Sequence, residues 1–415
     1  MPAIEPVQSD RTGNGRQLSL ATIAFACCFY AWALLGPLGP DLQEQLGLSD
    51  GQLALTISIP VVLGSLMRIP LGVLTDRYGG RRVFALLMAF TPLPLIGLAL
   101  FNDSWGAVLL FALLLGFAGA SFAVGVPFVN KWYPPGRQGY ALGIYGIGTG
   151  GTVLAALTAP RIVDATSIDA PFWIAAVVLG AMALVFWSMA SNAPGSVQGN
   201  TGSMLASLSA FRGPGSGRAW ALTLFYFMAF GGFVAMFLYL PKLLTDVHDL
   251  SKTDAGSRAA GFALLAVVAR PIGGMVSDRI GAINVLRTSF IGTAALAVVL
   301  AFTYEEMVPL TIACLTLAMF LGLGTGAVFK LVPEWFPDRV GAVTGVVGAA
   351  GGLGGFFPPL VMALVKSATG SYTLGFVLMA AVAGIALIVL RAQHPPGEAS
   401  THSEQAASGP AMAGT

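Results

Sequence analysis

Twelve apolar runs, each long enough to cross a bilayer as a helix, follow one another with only short polar breaks between them. They lie near 18–40, 52–74, 83–101, 107–130, 139–161, 170–190, 219–243, 255–276, 284–303, 307–331, 339–366 and 372–391. A helix needs about 20 predominantly apolar residues to span the hydrocarbon core. The runs are patterned as helices and lack the ten-residue alternation of an outer-membrane barrel. Only 10% of the residues are charged, against about 25% in soluble domains. The expected fold class is therefore all-α and integral to the membrane, in contact with the lipid bilayer and with no role for nucleic acid. Residues 1–17 are polar and run straight into the first span, so a cleavable signal peptide is not expected.

The net charge of +2 says little, but its distribution says more. Fourteen of the 21 Lys and Arg residues fall on the side shared by both termini, five fall opposite, and two lie within spans. Positive-inside bias then places both termini in the cytoplasm, and the plasma (inner) membrane is the expected location. Cys27, Cys28 and Cys314 all fall in spans and read as small apolar fillers, with no metal spacing.

The chain reads as two copies of one unit. Arg68 and Arg270 are 202 residues apart, and Gly72/Gly274, Asp76/Asp278, Arg77/Arg279, Arg137/Arg339, Gly143/Gly345 and Gly146/Gly348 keep the same offset. Trp132-Tyr133-Pro134 and Trp335-Phe336-Pro337 correspond with one residue of slippage. The boundaries follow: a tail over 1–17, a six-helix half over 18–190, a Gly/Ser-rich linker over 191–218, a second half over 219–391 and a polar tail over 392–415, expected to be disordered. Parallel repeats of this kind place a shared site at their interface, near the bilayer midplane.

Arg68 and Arg270 are the residues that speak for a function. Each lies eight positions before an Asp-Arg pair, which at 1.5 Å per residue puts it roughly 12 Å into the membrane. A guanidinium at that depth costs several kcal/mol by most measures and needs a cavity or a partner. No acid in the adjoining apolar segments is placed to neutralise either. Two matched cations point to a small anion bound between the halves. The blander possibility is that each caps backbone carbonyls or pairs with an acid on another span.

Gly72-Val-Leu-Thr-Asp76-Arg77-Tyr78-Gly79-Gly80-Arg81-Arg82 resembles the loop between the second and third spans of the major facilitator superfamily, with one extra glycine before the basic pair. Asp278-Arg279-Ile280-Gly281 is its weaker echo. The glycine-rich stretches Gly143-Ile-Tyr-Gly146-Ile-Gly148-Thr149-Gly150-Gly151 and Gly345-Val-Val-Gly348-Ala-Ala-Gly351-Gly352 resemble the paired signatures of the nitrate/nitrite porter (NarK-like) family. That resemblance implies a twelve-helix secondary transporter moving nitrate and/or nitrite by alternating access. Either nitrate/nitrite exchange or proton-coupled uptake would drive it, with no cofactor or metal. A monomer is the expected state.

Nitrate suits arginine: the planar anion accepts two parallel hydrogen bonds from the planar guanidinium. Tyr226 and Phe230 lie one turn apart on the seventh span and so share a face. The resemblance implies that Tyr226 donates through its hydroxyl and that Phe122 stacks on the anion. It also puts Thr149 where the family commonly has asparagine, with one donor in place of two. Phe29 matches Phe230 across the repeat. The glycines Gly143, Gly146, Gly148, Gly150, Gly345, Gly348, Gly351 and Gly352 flatten helix faces, letting neighbours approach and slide. Asp76, Arg77, Arg81, Asp278 and Arg279 are expected to stabilise one closed state. Lys330 either snorkels or draws anions to the inner mouth.

The alternatives are a porter for another small anion, such as a carboxylate, and an anion-binding membrane sensor. An enzyme is not expected, because the spans carry no nucleophile–base pair and no metal cluster. Gly146-x-Gly148-x-x-Gly151 matches a dinucleotide fingerprint in form only, since it lies inside a span and not after a strand.

Overall fold

The computed structural model describes residues 13–134, 137–194, 211, 215–336 and 340–393. Residues 1–12 of the first tail, most of the expected linker and all but the start of the second tail lie outside the described residues, as does Arg339. The rest is helical: α1 (Gly15–Ala33), α2 (Gly39–Leu46), α3 (Asp50–Tyr78), α4 (Gly80–Leu100), α5 (Trp105–Asn130), α6 (Ala141–Ala165), α7 (Ala170–Met189), α8 (Ser216–His248), α9 (Lys252–Ile280), α10 (Ala282–Thr303), α11 (Met307–Trp335), α12 (Val343–Thr369) and α13 (Thr373–Ala392). Among the described residues eleven helices, α3 to α13, are long and apolar enough to cross a membrane. The first apolar run departs from expectation. It does not continue to residue 40 as one helix, but ends at Ala33, turns through 34–38 and restarts as α2. Pro37 and Pro40 explain the break, since neither can donate a backbone hydrogen bond. Large apolar side chains such as Leu184, Phe302, Leu364 and Ile388 are exposed, as lipid-facing positions should be.

The sequence repeat reappears as repeated geometry. Both α3 and α9 are 29 residues long. The side chains of Ser49 and Ser251, 202 positions apart, cap their N-termini. Gly79 and Gly281, at the same offset, end them with φ near +85°, a conformation that strains any side chain larger than glycine's. The halves meet along two equivalent seams, α3 against α12 and α9 against α6.

The two ends of the bundle differ. At the end away from the termini, ion pairs cross between halves: Lys242 and Lys366 reach Asp50, while Lys252 reaches Asp41 and Glu44. Asp50 and Lys252 open α3 and α9 at equivalent positions, so the two bridges are related by the repeat with their charges reversed. At the terminal end, Lys131–Asp76 (2.9 Å) and Lys330–Asp278 (2.6 Å) each stay within one half. Among the described residues, the ion pairs that cross between the halves all lie at the end away from the termini.

Candidate functional site

Three helices lose their regular α geometry where they approach the centre. α6 tightens into a 3-10 turn at Ile147–Gly150, α12 is interrupted at 354–356, and α8 widens into a π turn at Phe227–Gly231. Such π turns cluster at functional sites. This one follows Tyr226 directly and leaves its ring stacked on Phe230, with centroids 5.1 Å apart and planes 8° from parallel.

Both arginines converge on that stack. The Cζ of Arg68 lies 5.4 Å from the Phe230 ring centroid and that of Arg270 lies 5.1 Å from it, so one ring takes a cation from each half. Arg270 also stands 5.0 Å from the centroid of Phe233. Tyr226 sits beside both guanidinium groups. Among the described residues neither arginine has a carboxylate partner, so pairing with an acid is excluded there. Carbonyl capping accounts for one contact, the Nη1 of Arg68 donating to the Gly348 carbonyl. It leaves the rest open: Arg68 Nε, and Arg270 Nε and Nη2, are buried donors without partners. Trp32 Nε1 and the Ser65 hydroxyl are likewise unpartnered, and both line a narrow crevice with Arg68, Phe230 and Gly352.

An unsatisfied buried donor costs about 1–3 kcal/mol, and more when charged. Three of the five such donors belong to the two arginines themselves, and the other two, on Trp32 and Ser65, open into the crevice that Arg68 lines. Glycines on α12 make the room. A Cβ on Gly351 would overlap the Tyr226 ring, and one on Gly352 would overlap the Ser65 hydroxyl. Ser65, Trp32 and Phe233 were not legible as site residues; Ser65 precedes Arg68 by one turn, which is the only hint the sequence offers.

Other expected residues are placed differently. Thr149 is buried, but its hydroxyl donates to the Gly146 carbonyl at 2.8 Å and it does not line the crevice. Its single proton satisfies its own helix, so the structure does not bring Thr149 to the arginines as a ligand. Phe122 is one ring removed: it meets Phe329 of α11 (5.7 Å), which in turn meets Tyr226 (4.9 Å). Phe122 and Phe329 thus form an aromatic contact across the halves, next to the site and not within it. Phe29 packs on Phe25 and Trp32. The charge of Lys330 is taken by Asp278.

Of the glycines on α6, Gly148 abuts α1, where a Cβ would stand 2.8 Å from the Thr22 carbonyl oxygen. Gly143, Gly146, Gly150 and Gly345 have nothing within 4 Å, so close packing does not explain them in this conformation. Gly348 has only the Arg68 side chain at ordinary contact distance. In the basic loop, Arg81 donates to the Trp187 carbonyl and joins α4 to α7, while Arg77 lies over Tyr78. Arg279 is exposed.

Three comparisons bear on this arrangement. The family model described as Major Facilitator Superfamily matches residues 21–257 and 242–413. The chain is 41% identical over 396 residues to the probable nitrate/nitrite transporter NarK2 of Mycobacterium tuberculosis, covering 93% of this chain and 98% of that protein. It is 34% identical to the nitrite extrusion protein of Bacillus subtilis, covering 94% and 97%. It is 35% identical to the probable nitrate transporter NarT of Staphylococcus epidermidis, covering 90% and 95%. Among solved structures, the human organic anion transporter MFSD10 superposes with a TM-score of 0.73 at 17% identity, over 92% of this chain and all of that one. A bacterial homologue of the lysosomal transporter Spinster, inward-facing and unoccupied, gives 0.68 at 18% identity, over 93% and 96%. At such identities these two speak for the fold alone.

Proposed function

We propose, from the premise that this chain belongs to the Major Facilitator Superfamily and to its nitrate/nitrite transporter branch, that Arg68 and Arg270 carry nitrate or nitrite through the membrane between them. The protein is a multi-pass membrane transporter. Its latched end faces outward and its termini face the cytoplasm, on the positive-inside argument. The observation that carries the reading is the unpartnered Nε–Nη2 edge of Arg270, on a guanidinium that lies over the Phe230 ring that Arg68 also approaches. A planar oxyanion takes two parallel bonds from such an edge, further bonds from Ser65 and Trp32, and a ring face from Phe230.

The same observation favours exchange. Two buried cations without a counter-charge are costly to carry across empty, and an anion bound on each passage removes that cost. In sealed liposomes, labelled nitrate uptake is expected to require nitrate or nitrite inside and to be blocked by excess external nitrate but not by acetate. Rapid uptake into anion-free liposomes, driven by an inward pH gradient alone, would defeat obligatory exchange. Inhibition by acetate as strong as by nitrate would favour a carboxylate porter.

Proton coupling has one residue in its favour. Asp41 is 8% exposed at the outer latch, and its Oδ2 is buried without a partner. Burial pushes its carboxyl above the ordinary carboxylate range, against the opposing pull of Lys252. A carboxyl with a raised value in the latched state and an ordinary one when opened to water takes up a proton as the latch closes. The uptake falls in the window between the two values, and acid on the outside then favours closure. If protons are coupled this way, uptake rises as external pH falls through the window between the two values, and Asp41→Asn flattens that rise. An unchanged pH profile in Asp41→Asn would remove Asp41 from the coupling.

A further inference from the structure

The outer latch is built from two unequal carboxylates around one pair of lysines. Asp246, on the same half as the lysines, accepts from both Lys242 and Lys366 at short range and from the Tyr372 hydroxyl at 2.9 Å. Asp50, from the other half, is held more loosely: 3.4 Å from Lys242 and 3.3 Å from Lys366, with a 3.0 Å bond from Gln43 of its own half. Charge-assisted N–H···O bonds normally close to about 2.7–2.9 Å, so Asp50 is the member set to leave. Lys242 is itself 8% exposed, and the neighbouring Tyr239 hydroxyl is buried without a partner. When the halves part at this end, Asp50 departs with Asp41 and Glu44. Lys242, Lys366 and Lys252 remain with their half, and Asp246 is the only one of these four carboxylates still beside them. The place that Asp50 leaves between Lys242 and Lys366 matches one monovalent oxyanion in position; Glu305 lines the adjoining cavity with Lys366 but is not ion-paired to it.

We propose that Lys242 and Lys366, pre-arranged by Asp246, form an outer binding site for a monovalent oxyanion. The Asp50 carboxylate occupies it while the outer end is closed, and incoming nitrate or nitrite occupies it when that end opens. The site would draw external anions toward Arg68 and Arg270, and its occupation by substrate would keep Asp50 from re-latching until the ion moves inward. This rests on the nitrate/nitrite reading of the central site.

The test separates a binding site from a mere latch by the direction of two effects. Nitrate concentration dependence is measured in right-side-out vesicles for the external face and in inverted vesicles for the internal face. Losing one exposed-to-partly-buried charge contact typically changes affinity by about fivefold. Lys366→Gln is expected to raise the external KM by roughly that factor, because a ligand for the anion is gone. Asp50→Asn is expected to lower it by a similar factor, because the competing carboxylate is gone. The internal KM stays within about twofold of the unmodified protein in both, and Lys366→Arg keeps the external value near normal. A simple latch predicts instead that Lys366→Gln and Asp50→Asn both ease outward opening and shift the external KM the same way. That outcome, or no change in either, overturns the proposal. Absence of nitrate flux in the unmodified protein would overturn the transport reading itself, which the unchanged central arginines of both variants keep distinct.

Discussion

Arg270→Lys is expected to cut nitrate flux by about ten- to a hundredfold while the protein still accumulates in the membrane. Lysine keeps the charge but loses the planar fork, and Nε and Nη2 of Arg270 are the two adjacent donors that the structure leaves free. One hydrogen bond to a charged group is worth about 1.5–3 kcal/mol, and each 1.36 kcal/mol is tenfold. Arg68→Lys should cost less, because one arm of Arg68 is already committed to the Gly348 carbonyl. The measurement is counterflow of labelled nitrate in liposomes, with size-exclusion profiles of each variant to establish folding. Flux in Arg270→Lys within twofold of normal would remove the fork from the mechanism. A larger loss in Arg68→Lys than in Arg270→Lys would reverse the roles assigned to them.

Why these two residues were legible from sequence, and others were not, has a physical reason. A cation inside an apolar run is out of place by several kcal/mol, so it declares itself without any knowledge of its neighbours. The repeat is equally plain, because Arg68/Arg270, Gly72/Gly274 and Asp76/Asp278 keep one offset, and the structure adds Ser49/Ser251 and Gly79/Gly281, which perform the same capping and turning in each half. Ser65 and Trp32 carry no such tension, since a serine or a tryptophan in a span is ordinary. They become significant only when folding leaves their donors facing the crevice of Arg68. The outer latch is hidden for another reason: hydropathy marks where helices end but not which ends meet. Nothing in the order of residues 50, 242, 246 and 366 shows that they share one point. Thr149 is the opposite case. Only the family resemblance implied it as a ligand, from its place in the glycine signature, and resemblance does not show where a hydroxyl turns: the helix offers its own carbonyl three residues back, and that is where the proton goes.

The glycines of α12 yield the sharpest contrast within a single motif. Gly351→Ala is expected to reduce nitrate flux at least tenfold, and Gly345→Ala to leave it within about twofold. The added methyl at 351 falls on the Tyr226 ring. That ring is stacked on Phe230 and wedged edge-on against Phe329, so it cannot swing aside without disturbing the surface on which both arginines converge. Overpacking of this kind costs about 1–3 kcal/mol, and here the strain is delivered to the binding face. At 345 a methyl meets nothing within 4 Å. Gly352→Ala supplies an intermediate case: its methyl presses on the Ser65 side chain, which can rotate, at the loss of the donor that Ser65 offers to the crevice. Substrate affinity is therefore expected to weaken in Gly352→Ala while maximal flux is largely kept, whereas Gly351→Ala loses both. The order of effects, 351 above 352 above 345, is what counts. If all three behave alike, the glycines serve general helix flexibility, and the room they make for Tyr226 and Ser65 is incidental to transport.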